Sequence, residues 1–244
     1  MSDAGQETYP PLDTLKPVAE NVWIVDGPTI RFGLPGAKMH FPTRMTLIRL
    51  RNGSLFIHSP TRLASSLKTG IESLGTPAYL IGPNRLHYWW LPLWHDAFPG
   101  AKVYLAPRIR EQAKNRIDFD GASLEQESGY PWDEEIATLP VHGSYMTEIV
   151  FFHRLSRTLV LTDFIENFEP ARLKSVFTRL LTRFGGAQGQ MPRDMRLTYD
   201  RKLLRQSVET MIGWDPENIV IAHGRWYDKN GAAELRRSFR WLLK

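Results

Sequence analysis

The chain has 244 residues, 42% of them hydrophobic and 23% charged, with a formal net charge of +5, an ordinary balance for a folded globular protein. It contains no cysteine, which excludes disulfides and thiolate metal sites and leaves His, Asp and Glu as the strong metal donors. The basic residues are scattered, and the group Arg236, Arg237 and Arg240 falls in a terminal amphipathic stretch, so a nucleic-acid partner is disfavoured and a small anionic ligand is the better match to the charge.

The first seventeen or so residues, MSDAGQETYPPLDTLKP, are polar and Pro-rich. They lack the basic and apolar pattern of a signal peptide and predict an extended lead into a single domain over 1–244. No apolar run is long enough to span a bilayer, so a cytoplasmic protein without membrane contact is expected. Residues 21–26 (NVWIVD) read as a short strand. Residues 45–50 (MTLIRL) and 54–57 (SLFI) flank Arg51-Asn52-Gly53, a hairpin signal. The Gly/Pro segment between, FGLPGAKMHFP, is a candidate loop over a site.

Residues 63–75 predict a helix closed by Gly75. Strands follow at 78–81 (AYLI) and 102–105 (KVYL), with a helix at 91–98 between them. A helix is predicted over 108–115, then three consecutive strands at 136–141, 148–153 and 158–162. Residues 169–184 place Leu173, Val176, Phe177, Leu180 and Leu181 at helical spacing and predict a helix. The run GGAQGQMPRD is predicted as a loop, 202–212 as a helix, 219–222 as a strand and 232–243 as a closing helix. Strand-rich halves with attached helices predict a sandwich of two sheets between helices.

Polar residues stand just past several buried strands: His142 after ATLPV, Asp163 after TLVLT, His223 after NIVIA, His58 after SLFI and His87 after AYLIGPNRL. A strand end is where a rigid sheet can present a side chain to a shared cleft. Imidazoles and a carboxylate are a donor set that Zn, Fe or Mn accepts. Taken singly, each histidine also reads as an edge residue satisfied by a hydrogen bond, and no local motif such as HExxH is present. Tyr88, Trp89, Trp90 and Trp94 form an aromatic cluster that reads as core or as a pocket lining. Glu148 and Glu166 are candidates to orient a histidine. His40 reads as a loop residue, His95 and His153 as structural ones. Ser59 and Ser144 show no Ser-His-Asp pattern along the chain.

The stretch LPVHGSYMTEIVFFHRLSRTLVLTDFIENF resembles the middle of a metallo-β-lactamase-fold protein, AENVWIVDG its first strand, and ENIVIAHGRW its last ligand motif. The resemblance implies an α/β, four-layer αββα sandwich. It matches His142 to the third metal histidine, Asp163 to the bridging aspartate and His223 to the final histidine, with Thr162 in place of the usual glycine. The signature His-x-His-x-Asp-His is missing. Counting forward from AYLI places Asn84, Leu86, Tyr88 and Trp89 on it, whereas counting back from FPGAKVYLAP places His87 on its last histidine. NRLHYWW and FFHRLSRTLVLTDF resemble the DUF4336 branch of this superfamily.

The resulting expectation is a metal-dependent hydrolase of an ester, thioester or phosphoester. It would hold one divalent ion, Zn before Fe or Mn, on His142, Asp163 and His223, with His87 or else His58 as a further donor and Asp163 as proton acceptor. Two alternatives stay open. One is a non-catalytic protein without metal whose cleft binds an anionic ligand or a partner through Arg85 and Arg225; the other is a metal-dependent oxidoreductase.

Overall fold

The computed structural model describes residues 7–32 and 39–244. Its first sheet has seven strands in sequence order: β1 (Lys16–Ala19), β2 (Val22–Phe32), β3 (Met39–Arg49), β4 (Ser54–His58), β5 (Thr76–Gly82), β6 (Lys102–Leu105) and β7 (Ala122–Ser123). Strands β1 to β4 pair antiparallel and β4 to β7 parallel. Parallel neighbours need crossovers, which carry the helices α1 (Ser65–Leu74), α2 (Leu91–Ala97) and α3 (Ile109–Ala113).

The second sheet contains β8 (Ile136–Val141), β9 (Glu148–His153), β10 (Thr158–Val160) and β13 (Asn218–Val220), in the order β13-β10-β9-β8. A small ribbon pairs β11 (Glu166–Asn167) with β12 (Gln188–Gln190). The remaining helices are α4 (Val176–Gly185), α5 (Arg193–Arg196), α6 (Arg201–Gly213), α7 (Gly231–Ser238) and α8 (Arg240–Leu243).

The period of two in the strands separates the layers. In β9, Ile149 and Phe151 join the core shared with the first sheet, while Val150 and Phe152 join the core under α6, α7 and α8. Strand β10 divides the same way, with Val160 on the first side and Leu159 on the second. Helices therefore cover the outer faces of two packed sheets, giving the αββα order.

Several elements differ from the sequence reading. The strand expected at 21–26 runs on to Phe32, and β3 begins at Met39, so the outer parts of the Gly/Pro segment are strand; its central residues 33–38 lie outside the described residues. The Asn52-Gly53 hairpin forms, with Arg49 opposite Leu55. Gly75 ends α1 with extended backbone, and the reason for glycine is a close approach: a Cβ there would lie 2.2 Å from the Gly53 carbonyl oxygen. The loop expected over GGAQGQMPRD contains β12, and the closing helix breaks at Phe239 into α7 and α8. The helix expected over 169–184 forms only from Val176, and its apolar stripe faces outward.

Candidate metal centre

Three chain segments converge at one edge of the sandwich. His87 lies in the turn between β5 and α2, Asp163 in the turn after β10, and His223 in the turn after β13. Their donor atoms all lie within 4.8 Å of one another. Asp163 and His223 are buried and His87 nearly so. His223 Nε2 sits 3.1 Å from Asp163 Oδ1, and His87 Nε2 sits 3.4 Å from Asp163 Oδ2.

Each segment is held by named bonds. The Asn84 side-chain oxygen accepts from the backbone N–H of Leu86 and His87, which shapes the His87 turn. Its amide then donates to Thr162 Oγ1 at 2.9 Å and Asp163 Oδ2 at 2.6 Å. The Glu148 carboxylate accepts from the backbone N–H of Thr162, Asp163 and Phe164 and so fixes the Asp163 turn. Arg44, on β3, donates to the carbonyls of Ile221 and Gly224 on either side of His223, and pairs with Asp26 at 2.7 Å. Gly224 has φ +94°, and a Cβ there would meet the Asn167 carbonyl at 2.1 Å. Only glycine lets β11 lie against the His223 turn.

The protonation of His223 follows from its neighbours. Its Nδ1 lies 2.7 Å from the Pro42 carbonyl oxygen, which can only accept, so Nδ1 carries a proton. Nε2 therefore presents either a lone pair or, on the imidazolium, a second proton to Asp163. Burial disfavours the charged ring, but the hydrogen bond and charge of Asp163, with Glu166, outweigh it and raise the pKa. Burial also pushes the Asp163 carboxyl up, and the charge of His87 and the hydrogen bonds from both histidines more than reverse this, holding it below the usual range. The Glu148 carboxyl is pushed up to about 7 by burial and the adjacent Asp163, against the backbone N–H groups it accepts from.

The trio opens on a cavity of about 710 Å³ with mostly apolar walls. His87, Asp163, His223 and Glu166 line it, together with Trp89, Trp90 and, from α4, Leu181, Thr182 and Gly185. Burial, together with the charges of Asp163, Asp194 and Glu148, raises the Glu166 carboxyl to about 8 even though His223 opposes the shift.

His142, expected among the donors, lies outside this group. The chain turns at the end of β8, leaving the His142 ring exposed with Nδ1 3.3 Å from Thr147 Oγ1, and buries Met146 instead. His58 ends β4 fully buried, edge-on to Phe151, with neither ring nitrogen hydrogen-bonded. Burial, reinforced by the charge of His87, pushes its pKa down to about 3. Trp94 belongs to the core and donates to the Thr61 carbonyl, whereas Trp89 stacks on Tyr88 and faces the cavity. His40 sits on β3 with Nδ1 3.2 Å from Glu7. His95 stacks on Phe119, and His153 meets Ser156 Oγ. Arg85 bonds the Tyr145 carbonyl and Gln112. Among the described residues, the cavity lining includes neither Arg85 nor Arg225.

Ser59 is the residue that sequence reasoning set aside. Its Oγ lies 2.6 Å from His87 Nδ1, its φ is +52°, and it lines the cavity. The order Ser59–His87–Asp163 forms only in three dimensions, across 28 residues and then 76 more. A serine in the left-handed region just past a strand was the signal available, but backbone angles are not readable from sequence.

The family model described as a domain of unknown function, DUF4336, matches residues 20–181. No curated protein sequence matches the chain. Among solved structures, the chain is similar to the DIM-1 metallo-β-lactamase exposed to ceftazidime, at 13% identity and TM-score 0.63, covering 93% of this chain and 96% of that one. It is similar to a metallo-β-lactamase from Pontibacter korlensis at 10% identity and TM-score 0.61, with 94% and 98% covered. A chemotaxis sensor, ODP, solved as a peroxy diiron species, aligns at 16% identity and TM-score 0.59, with 94% of each chain covered. At these identities the likeness shows the fold.

Proposed function

From a chain that belongs to the DUF4336 family and has the metallo-β-lactamase fold, we propose a metal-dependent hydrolase that holds one divalent ion on His87, Asp163 and His223. The observation that carries the reading is the locked His223 ring. With its Nδ1 proton committed to Pro42, His223 aims Nε2 at the Asp163 carboxylate, and a cation there would take the place of the second ring proton that Asp163 otherwise favours. Two imidazoles and a carboxylate fit one Zn, Fe or Mn ion with open positions. Asn84, whose amide donates to Asp163, occupies ground beside the trio without adding a metal donor of comparable strength.

Bound there, such an ion supplies a Lewis acid and lowers the pKa of a coordinated water towards neutrality. Ser59 at Nδ1 of His87 and Pro42 at Nδ1 of His223 hold the two rings in place. Glu148 fixes the Asp163 backbone. Glu166 faces the same space with a carboxyl that keeps its proton near neutral pH, placed to give it to a leaving group. The apolar walls suit an ester or thioester with an apolar acyl or aromatic group.

One further reading rests on Ser59. With His87 as base and Asp163 behind it, Ser59 Oγ is arranged as the nucleophile of a metal-free esterase. The Ser59 backbone N–H is already donated to the Ile81 carbonyl, so it is not free to stabilise an oxyanion, and the metal reading is preferred.

Aryl esters of increasing acyl length test both. The metal reading expects turnover that a chelator abolishes and added Zn, Fe or Mn restores, with a loss of roughly 100-fold or more in His87→Ala. Turnover indifferent to chelator but abolished in Ser59→Ala, with Ser59 labelled by a fluorophosphonate, supports the serine reading. No turnover of esters, thioesters or phosphoesters by metal-loaded protein sinks both.

A further inference from the structure

Helix α4 is inside out. Val176, Phe177, Leu180, Leu181 and Phe184 are 69%, 65%, 46%, 42% and 64% exposed, while Thr182 is buried at 2%. At about 100° per residue, the five apolar side chains cover an arc of about 140°. The helix thus rests on the body through a threonine and presents its hydrophobic stripe to the outside. A mixed surface of this size tolerates scattered apolar residues, but a contiguous stripe on one helix marks an interaction face.

The charge around the stripe indicates what it meets. Residues 171–193 contain five basic side chains, Arg172, Lys174, Arg179, Arg183 and Arg193, and no Asp or Glu; Glu169, just before this span, pairs with Arg172 at 3.1 Å, and Asp194 follows it. Arg179 and Arg183 stand on the border of the apolar arc and are exposed. Lys174, just before the helix, is exposed and reaches Glu7 at 3.6 Å. An apolar face edged by arginines is the pattern of a helix lying in a membrane interface, where the cations reach the headgroup phosphates. A second copy would bring the same cations together at close range, which disfavours a symmetric pairing.

We propose that α4 seats on an anionic phospholipid bilayer, its five apolar side chains entering the boundary between headgroups and acyl chains. Among the described residues, no helix is long and apolar enough to cross a membrane, so the attachment is peripheral. Leu181 of the stripe also lines the cavity, as do Thr182 and Gly185 of the same helix. The proposal stands on the surface alone and does not depend on the metal centre.

Flotation of the full chain with vesicles tests it. Vesicles of phosphatidylcholine with roughly 30% phosphatidylglycerol should carry the protein, pure phosphatidylcholine should carry little, and binding should weaken with added salt. A Leu180→Glu/Phe184→Glu variant and an Arg179→Glu/Arg183→Glu variant should each bind at least roughly ten-fold less. Unchanged melting curves would show that both fold. The proposal is overturned if the wild type stays unbound on anionic vesicles, or if both variants float as it does. It is equally overturned if the wild type ignores vesicles but forms a dimer in solution that the Leu180→Glu/Phe184→Glu change dissolves.

Discussion

The wall of the cavity built from strand ends and the wall built from α4 are assembled in opposite senses. On the first, polar groups are buried and interlocked: Asp163 meets His87, His223 and Asn84, and Glu148 accepts from three successive backbone N–H groups. On the second, apolar groups stand exposed and a threonine is buried. A buried polar network that is satisfied member by member fixes one geometry, because each missing partner costs the desolvation of the group left behind. An exposed apolar stripe fixes nothing within the chain. The first wall has the construction of a site that holds an ion or a reacting group, and the second that of a face that awaits another surface.

Substitutions separate the two walls by size of effect. Arg44→Met should be the most damaging, since it strands the buried Asp26 with Lys16 as its remaining partner and frees the carbonyls flanking His223. A loss of roughly 3 kcal/mol in urea unfolding is expected, and a change under 1 kcal/mol would show that the His223 turn does not need the arginine. Glu148→Gln should follow at roughly 2 kcal/mol, because an amide nitrogen then faces backbone N–H groups. The same variant should lose activity on esters if the Asp163 turn shifts.

His58 sharpens the comparison through pH. Its folded pKa of about 3 lies below the ordinary 6.5, so between those values the unfolded chain binds the proton and the folded chain does not. Stability from this group is complete above about pH 6.5 and is lost as pH falls towards 3, at up to about 1.4 kcal/mol per pH unit. His58→Leu should flatten that part of the stability profile; an unchanged slope would mean the ring is not held neutral. Smallest of all, Phe184→Ser on α4 should change stability by less than about 0.5 kcal/mol, and a larger loss would mean the stripe packs within the chain after all.

The sequence showed the sheets better than it showed the site. Short apolar runs such as EIVFFH, buried on both faces, and the Asn52-Gly53 turn identify β9 and the β3–β4 hairpin because run length and turn chemistry are local. Asp163 and His223 could be singled out because they follow buried strands. His142 follows one too, yet the chain turns it outward, and that depends on which side the loop leaves the sheet. His87 stands past a buried strand too, but its match to the missing histidine motif came only from counting back from the next strand, since Asn84 and not a histidine begins the turn. The role of Glu148 was hidden because its partners are backbone N–H groups, which every sequence contains. For α4, periodicity revealed the stripe but carried no information about which side the body occupies.

The central claim is that three strand ends make a one-ion centre, and elemental analysis of protein purified without chelator tests it most directly. About one equivalent of Zn, Fe or Mn per chain, lost in Asp163→Ala and in a His87→Ala/His223→Ala double variant that still fold, is the predicted result. Metal far below one equivalent that cannot be reloaded, or an equivalent that survives the double variant, would contradict it.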